Sequence, residues 1–177
     1  MTEALPAFPY HPDPVATGSV VRSDFPCACC GRARGYVYPG PVYVRKEEAA
    51  IGALCPWCIA DGSAAARFGA EFTGDSDVPD GAWEAIATRT PGYSARHRGY
   101  WLAHCGDGAA FMGAVGTEEL APYPDAVETL RQEAGGWGWS PVDVEHYLNV
   151  LHKDRQPTAY LFRCRVCGTH LAYTEYA

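Results

Sequence analysis

The chain has 177 residues, 47% apolar and 12% aromatic, which supports a buried core and excludes a disordered chain. Its net charge of −7, from 14 basic and 21 acidic side chains, argues against a nucleic-acid binder, because affinity for phosphate needs a basic face. No apolar run approaches the roughly 18 residues that span a bilayer.

The start, Met1-Thr-Glu-Ala-Leu-Pro, has neither the basic flank nor the apolar stretch of a secretory signal, so a cytoplasmic protein is expected. Residues 1–24 read as an extended arm. The prolines of Leu5-Pro-Ala-Phe-Pro-Tyr-His-Pro-Asp-Pro14 exclude a regular helix, and Phe8 and Tyr10 are candidate anchors. Thr17-Gly-Ser-Val-Val21 is a candidate strand leading into the first cysteine pair. Gly35-Tyr-Val-Tyr38 and Val42-Tyr-Val44 flank Tyr38-Pro39-Gly40-Pro41, which predicts a β-hairpin closed by a type II turn. Lys46-Glu-Glu-Ala-Ala-Ile51 predicts one helical turn. Ala60, Ala64 and Phe68 share a helical face and predict a helix over 57–69, weakened by about 1 kcal/mol at Gly62. After the acidic loop 73–81, Asp80 is expected to cap a short helix at 81–88 that buries Trp83 and Ile86.

Tyr100-Trp-Leu-Ala-His-Cys105 and Ala109-Ala-Phe-Met-Gly-Ala-Val115 read as strands around the turn Gly106-Asp-Gly108. Pro124 starts a helix over 124–134, with Ala126, Val127 and Leu130 inward and Gly135 stopping it. Ser140-Pro-Val-Asp143 reads as a cap followed by a helix that buries Val144, Tyr147, Leu148 and Leu151. The chain ends in a hairpin, Ala159-Tyr-Leu-Phe-Arg163 and Thr169-His-Leu-Ala-Tyr173, around Cys164-Arg-Val-Cys167-Gly168. Trp101, Trp137, Trp139, Tyr160 and Tyr173 read as core and rim. The expected fold class is α+β: zinc-ribbon-like β-hairpins with packed helices and a small antiparallel sheet. We expect one domain over 1–177, with a ribbon-like unit at 20–70 and a second knuckle with helices at 100–177.

The cysteines carry the chemistry. Cys27 and Cys30 form one Cys-x₂-Cys pair, and Cys55 and Cys58 form a second. Two such pairs in a reducing compartment point to one tetrahedral zinc site with a full shell of four thiolates, and hence to a structural role. Cys29 competes with its neighbours for a place, but adjacent residues chelate poorly. A second zinc is expected at Cys105, Cys164 and Cys167, with His104, His170 or Asp107 as the fourth ligand. Neighbours on a strand point to opposite faces, so His104 and Cys105 share a metal only at a bulge or turn. A second site with only three protein ligands would leave room for an activated water, and Asp107 or His104 would be its nearest base. No His-Glu-x-x-His, Gly-x-Ser-x-Gly or Gly-x-x-x-x-Gly-Lys motif is present, so nothing in the sequence singles out a catalytic residue.

Several stretches resemble the bacterial CbrC family. They are Tyr10-His-Pro-Asp-Pro-Val-Ala-Thr-Gly-Ser19, Cys27-x-Cys-Cys-Gly31, Arg34-Gly-Tyr-Val-Tyr38, Gly40-Pro-Val-Tyr43, Leu54-Cys-Pro-Trp-Cys-Ile-Ala-Asp-Gly-Ser-Ala-Ala65, Trp101 to Asp107 and Pro157-Thr-Ala-Tyr-Leu-Phe-Arg-Cys-x-x-Cys-Gly168. The resemblance runs along nearly the whole chain and implies paired-cysteine sites at Cys27, Cys30, Cys55, Cys58, Cys164 and Cys167. It carries over no catalytic residue, and it implies a link to colicin tolerance. The tail Tyr173-Thr-Glu-Tyr-Ala lacks the Trp and Asp found in some members of that family, so the resemblance assigns it no role. The expected function is a zinc-stabilised interaction protein whose acidic surface suits a basic partner, with a zinc hydrolase as the alternative.

Overall fold

The computed structural model describes residues 3–44 and 51–175. The helical turn expected from Lys46 lies, apart from Ile51, outside these residues. The proline-rich arm forms a chain of turns, anchored as expected by Phe8, which is buried in the core of the amino-terminal half. His11 is fully buried. Its Nδ1 lies 2.7 Å from the Pro91 carbonyl and its Nε2 lies 2.6 Å from Thr17 Oγ1.

Strand β1 (Val21–Arg22) pairs with β2 (Tyr36–Val37), while β3 (Tyr43–Val44) pairs with a strand further on, β4 (Ala70–Glu71). The hairpin expected across Tyr38-Pro39-Gly40-Pro41 therefore does not form. Pro39 and Pro41 have no N–H to give to a ladder, so each flank finds a partner elsewhere. Tyr38 instead exchanges backbone hydrogen bonds with Leu54, at 2.6 and 3.0 Å. The helix expected over 57–69 is split into α1 (Pro56–Ala60) and α2 (Ser63–Phe68). Gly62 sits between them at φ 80°, a left-handed conformation that ends one helix and starts the next. Ala60, Ala64 and Phe68 still pack on the same core, so their shared face survives the break.

Strand β5 (Asp75–Ser76) runs parallel to β6 (Tyr100–Trp101) and precedes α3 (Asp80–Arg89). Asp80 lies inside α3 rather than capping it, because Pro79 holds the cap position. Ile86 is fully buried and Trp83 half-buried. A two-residue hairpin, β7 (Ala103–His104) and β8 (Asp107–Gly108), then turns at Cys105 and Gly106, one residue earlier than expected.

The carboxy-terminal half comprises β9 (Ala110–Val115), α4 (Thr117–Leu120), α5 (Pro124–Gly135), α6 (Pro141–Leu148), β10 (Ala159–Arg163) and β11 (His170–Thr174). The terminal hairpin gains β9 as a third antiparallel strand, in the order β11-β10-β9. The two faces of this sheet carry different cores. Val115, Ala159, Leu161 and Ala172 pack against α5 and α6, whose Leu130, Val144, Tyr147 and Leu148 are buried as the sequence predicts. Ser140 Oγ accepts the Asp143 N–H at 3.2 Å and so caps α6 as expected. Phe111, Tyr160, Phe162 and Tyr173 face Tyr93 and Trp101 in an aromatic core. Tyr93 stacks on Phe111 with ring centres 4.0 Å apart, and Trp101 Nε1 donates to the Ala109 carbonyl at 2.9 Å. Trp137 and Trp139 lie at the rim, edge-on to Tyr147.

The class is α+β, as expected. Among the described residues there are six helices and several small sheets, antiparallel except for the β5–β6 pair. No helix among them is long and apolar enough to cross a membrane.

Candidate metal centres

The first knuckle is a hydrogen-bonded turn. Gly31 N donates to the Cys27 carbonyl at 2.7 Å, and Cys27 N donates to the Arg32 carbonyl at 3.0 Å. Gly31 has φ 71°, which a side chain would resist. Cys55 occupies the N-cap position of α1 and Cys58 lies inside that helix, so one turn of backbone presents both thiols together. The Sγ atoms of Cys27, Cys30, Cys55 and Cys58 all lie within 4.8 Å of one another, with Cys30 and Cys55 at 3.9 Å. Ligands about 2.3 Å from a tetrahedral centre stand about 3.8 Å apart, so this spacing fits a metal ion. Cys27, Cys55 and Cys58 are buried within the first core and Cys30 is exposed. Cys27 Sγ accepts N–H groups from Cys55 at 3.1 Å and Cys29 at 3.3 Å. The Cys29 thiol falls outside the group, 3.8 Å from Ser63 Oγ. Arg34 covers this end of the molecule: its guanidinium stacks on Trp57 at 4.1 Å and pairs with Glu3.

The second knuckle repeats the first. Gly168 N donates to the Cys164 carbonyl at 3.0 Å, Cys164 N donates to the Thr169 carbonyl at 2.8 Å, and Gly168 has φ 78°. Cys164 Sγ accepts N–H groups from Val166 at 3.4 Å and Cys167 at 3.5 Å. The β7–β8 turn completes the group. Cys105, at φ 52°, is the sole non-glycine in the left-handed region among the described residues. That conformation swings its thiol to the side of the His104 ring and satisfies the condition for two neighbours to share a metal. His104 Nδ1 lies 3.2 Å from Cys105 Sγ and 3.4 Å from Cys167 Sγ. The four donors of His104, Cys105, Cys164 and Cys167 lie within 4.8 Å of one another. Cys164 is buried, His104 half-buried, and Cys105 and Cys167 exposed.

The other two candidates for the fourth ligand are engaged elsewhere. His170 gives both its backbone N–H and its ring Nδ1 to Asp125 Oδ2, at 2.7 and 3.3 Å, and its ring leans on Tyr123. Asp107 accepts from Tyr10 OH at 3.0 Å and Arg165 Nη1 at 2.7 Å. Arg165 also lies over the Tyr10 ring at 4.4 Å. This buttress ties the amino-terminal arm, β8 and the second knuckle together. Nothing in the sequence marks it, because its three members are scattered along the chain.

Electrostatics make both groups receptive to a cation. Burial opposes the Cys27 thiolate, but the N–H groups of Cys30, Cys55 and Cys29 outweigh it and bring the thiol down to about 7. Cys58 is driven up by burial, with the crowding thiols of Cys55 and Cys30 adding to it. In the second group burial opposes the Cys164 thiolate, but the N–H groups of Cys167 and Val166 prevail. Cys105 is pushed up to about 11, chiefly by Cys167, with burial next. Each added thiolate in such a cluster costs more than the last, and a dication removes that cost. The eight donors can therefore hold two metal ions, and among the described residues no other group is so arranged. A separate cavity of about 590 Å³, lined by Asp75, Tyr100, Glu133 and Tyr173 among others, contains none of them. Burial raises Glu133 there to about 7, a feature no sequence pattern announces.

Residues 5–176 match the protein family described as "Uncharacterised protein family (UPF0167)". A UPF0167 protein of Mycobacterium bovis is 48% identical over 180 residues, covering 99% of this chain and 95% of the relative. A UPF0167 protein of Pseudomonas aeruginosa is 41% identical over 173 residues, covering 95% of each. No solved structure matches. The chain belongs to the UPF0167 family.

Proposed function

We propose that this chain is a zinc-stabilised interaction protein of the bacterial cytoplasm, carrying two zinc ions and no catalytic centre. One zinc is held by Cys27, Cys30, Cys55 and Cys58, and the other by His104, Cys105, Cys164 and Cys167. The observation that carries the reading is that each group brings four donors of the types zinc prefers within 4.8 Å. A shell filled by protein leaves no place for a reacting water, which favours a structural role. Bound there, the ions would supply cross-links: the first ties the knuckle to α1, and the second ties the β7–β8 turn to the β10–β11 turn.

The alternative, a zinc hydrolase with an open second site, is less well supported. It needs a base beside the metal, but His104 sits among the ligands and Asp107 is held by Tyr10 and Arg165. The resemblance to the CbrC family, which we take to be the same grouping as UPF0167, supports a role in tolerance to a colicin-type toxin or to stress. The net charge of −7 suits a partner with a basic surface.

Zinc analysis of the purified chain tests the metal reading, with two ions per chain expected; one or none removes the second site. Capture from toxin-challenged cells tests the interaction reading. Recovery of a specific basic partner is expected, and recovery of none counts against it.

A further inference from the structure

We propose that Cys105, bound to zinc, is the reactive thiolate of this protein and is alkylated by soft carbon electrophiles such as α,β-unsaturated carbonyls, with release of the second zinc. The proposal rests on the zinc reading of that site. Three features, taken together, single out this cysteine among eight; Cys30 shares the first two and lacks the third.

First, the thiol is exposed at the tip of a two-residue turn, whereas Cys27, Cys55, Cys58 and Cys164 are buried. An electrophile can reach it without local unfolding. Second, its sulfur accepts no backbone N–H among the described residues; the nitrogen beside it, His104 Nδ1 at 3.2 Å, belongs to its fellow ligand. Cys27 Sγ and Cys164 Sγ each accept two backbone N–H groups, and Cys167 Sγ lies 3.1 Å from the Thr169 hydroxyl. Hydrogen bonds draw charge from a thiolate and lower its reactivity, so Cys105 keeps more of its nucleophilic character. Third, its backbone is left-handed at φ 52°, a conformation disfavoured for a residue with a side chain. A metal bond holds the thiol in that place, and weakening the bond lets the turn relax. Cys30 is also exposed, but its backbone carries no such strain.

The reaction balances without an added oxidant. The Cys105 sulfur forms a bond to the β carbon of the unsaturated carbonyl. The π electron pair moves to the α carbon, which takes a proton from water and leaves hydroxide. The thiolate becomes a neutral thioether, a poor zinc ligand, and His104, Cys164 and Cys167 alone hold the ion more weakly. The first site, three of whose thiols are buried in the core, keeps its zinc.

The test uses the zinc-loaded full chain with its zinc content measured by native mass spectrometry. Substoichiometric N-ethylmaleimide is added, adducts are mapped on peptides, and released zinc is followed with a chromogenic chelator. The Cys105 adduct is expected to form at least about tenfold faster than any other, with one zinc released per adduct. Two bound zincs with Cys30 or Cys167 modified as fast, or a Cys105 adduct that keeps both ions, overturns the proposal and leaves the two-zinc reading standing. A chain that binds one zinc overturns both. The Cys105→Gly variant relieves the turn and removes the thiol, so it is expected to fold, to hold one zinc and to lose the fast adduct.

Discussion

His104 and Cys105 are consecutive residues, yet Nδ1 of one lies 3.2 Å from Sγ of the other. On an extended strand their side chains would point apart. The left-handed backbone of Cys105 brings them together, at a cost of about 1–3 kcal/mol for such a conformation. A turn that stores this strain to place two donors side by side makes sense as half of a chelate. His104→Ala is expected to remove one zinc and leave the other. His104→Cys restores a four-donor set and is expected to hold both. Atomic emission on the purified variants reads this directly.

The glycines of the two knuckles should tolerate substitution better than a packed glycine does. A Cβ at Gly31 meets nothing within 4 Å, so Gly31→Ala meets only the left-handed penalty, about 1–2 kcal/mol. A Cβ at Gly92 would lie 1.7 Å from the Phe72 carbonyl oxygen, which leaves no room for it. Urea titration is expected to show a modest loss for Gly31→Ala and no folded chain for Gly92→Ala.

His11 predicts an acid-dependent loss of stability. Burial lowers its pKa from 6.5 to about 4, partly offset by the Pro91 carbonyl. Between those values the unfolded chain binds a proton that the folded chain does not. Stability is therefore full above pH 6.5 and falls as the pH drops towards 4, by up to roughly 3 kcal/mol. His11→Asn lacks this group, so its urea midpoint should change less over the same range than that of the parent protein. Zinc loss at low pH is common to both proteins and cancels in the comparison.

The aromatic core should be costly to open. Trp101 is fully buried among Tyr93, Phe111 and Phe162, and its indole N–H is satisfied by Ala109. Trp101→Ala is expected to cost about 3–5 kcal/mol. Trp139, half-buried at the rim, should cost clearly less when changed to Ala. Chemical denaturation of the two variants compares them.

Local chemistry explains what was legible from sequence. Both Cys-x₂-Cys-Gly knuckles follow from short-range spacing and a left-handed glycine. Helix α6 follows from Ser140, Pro141 and the period of Val144, Tyr147 and Leu148. The misses are matters of long-range choice. Flanks rich in Val and Tyr mark Tyr36–Val37 and Tyr43–Val44 as strands, but their partners, β1 and β4, lie in other segments. The addition of β9 to the terminal hairpin is of the same kind. At the second site, His104, His170 and Asp107 are chemically equivalent candidates on paper. The choice among them rests on the left-handed turn at Cys105 and on the contacts that Asp125, Tyr10 and Arg165 make with the losers. Cysteine has no special preference for that turn, so no pattern in the sequence foretells it.

X-ray absorption at the zinc edge, on protein whose zinc content has been counted, tests the two-site claim most directly. Cys27, Cys30, Cys55, Cys58, Cys105, Cys164, Cys167 and His104 predict two zincs per chain, with an average shell built from seven sulfurs and one nitrogen over the pair and no oxygen. A single zinc surrounded by sulfur alone, or an oxygen ligand in the shell, would contradict it.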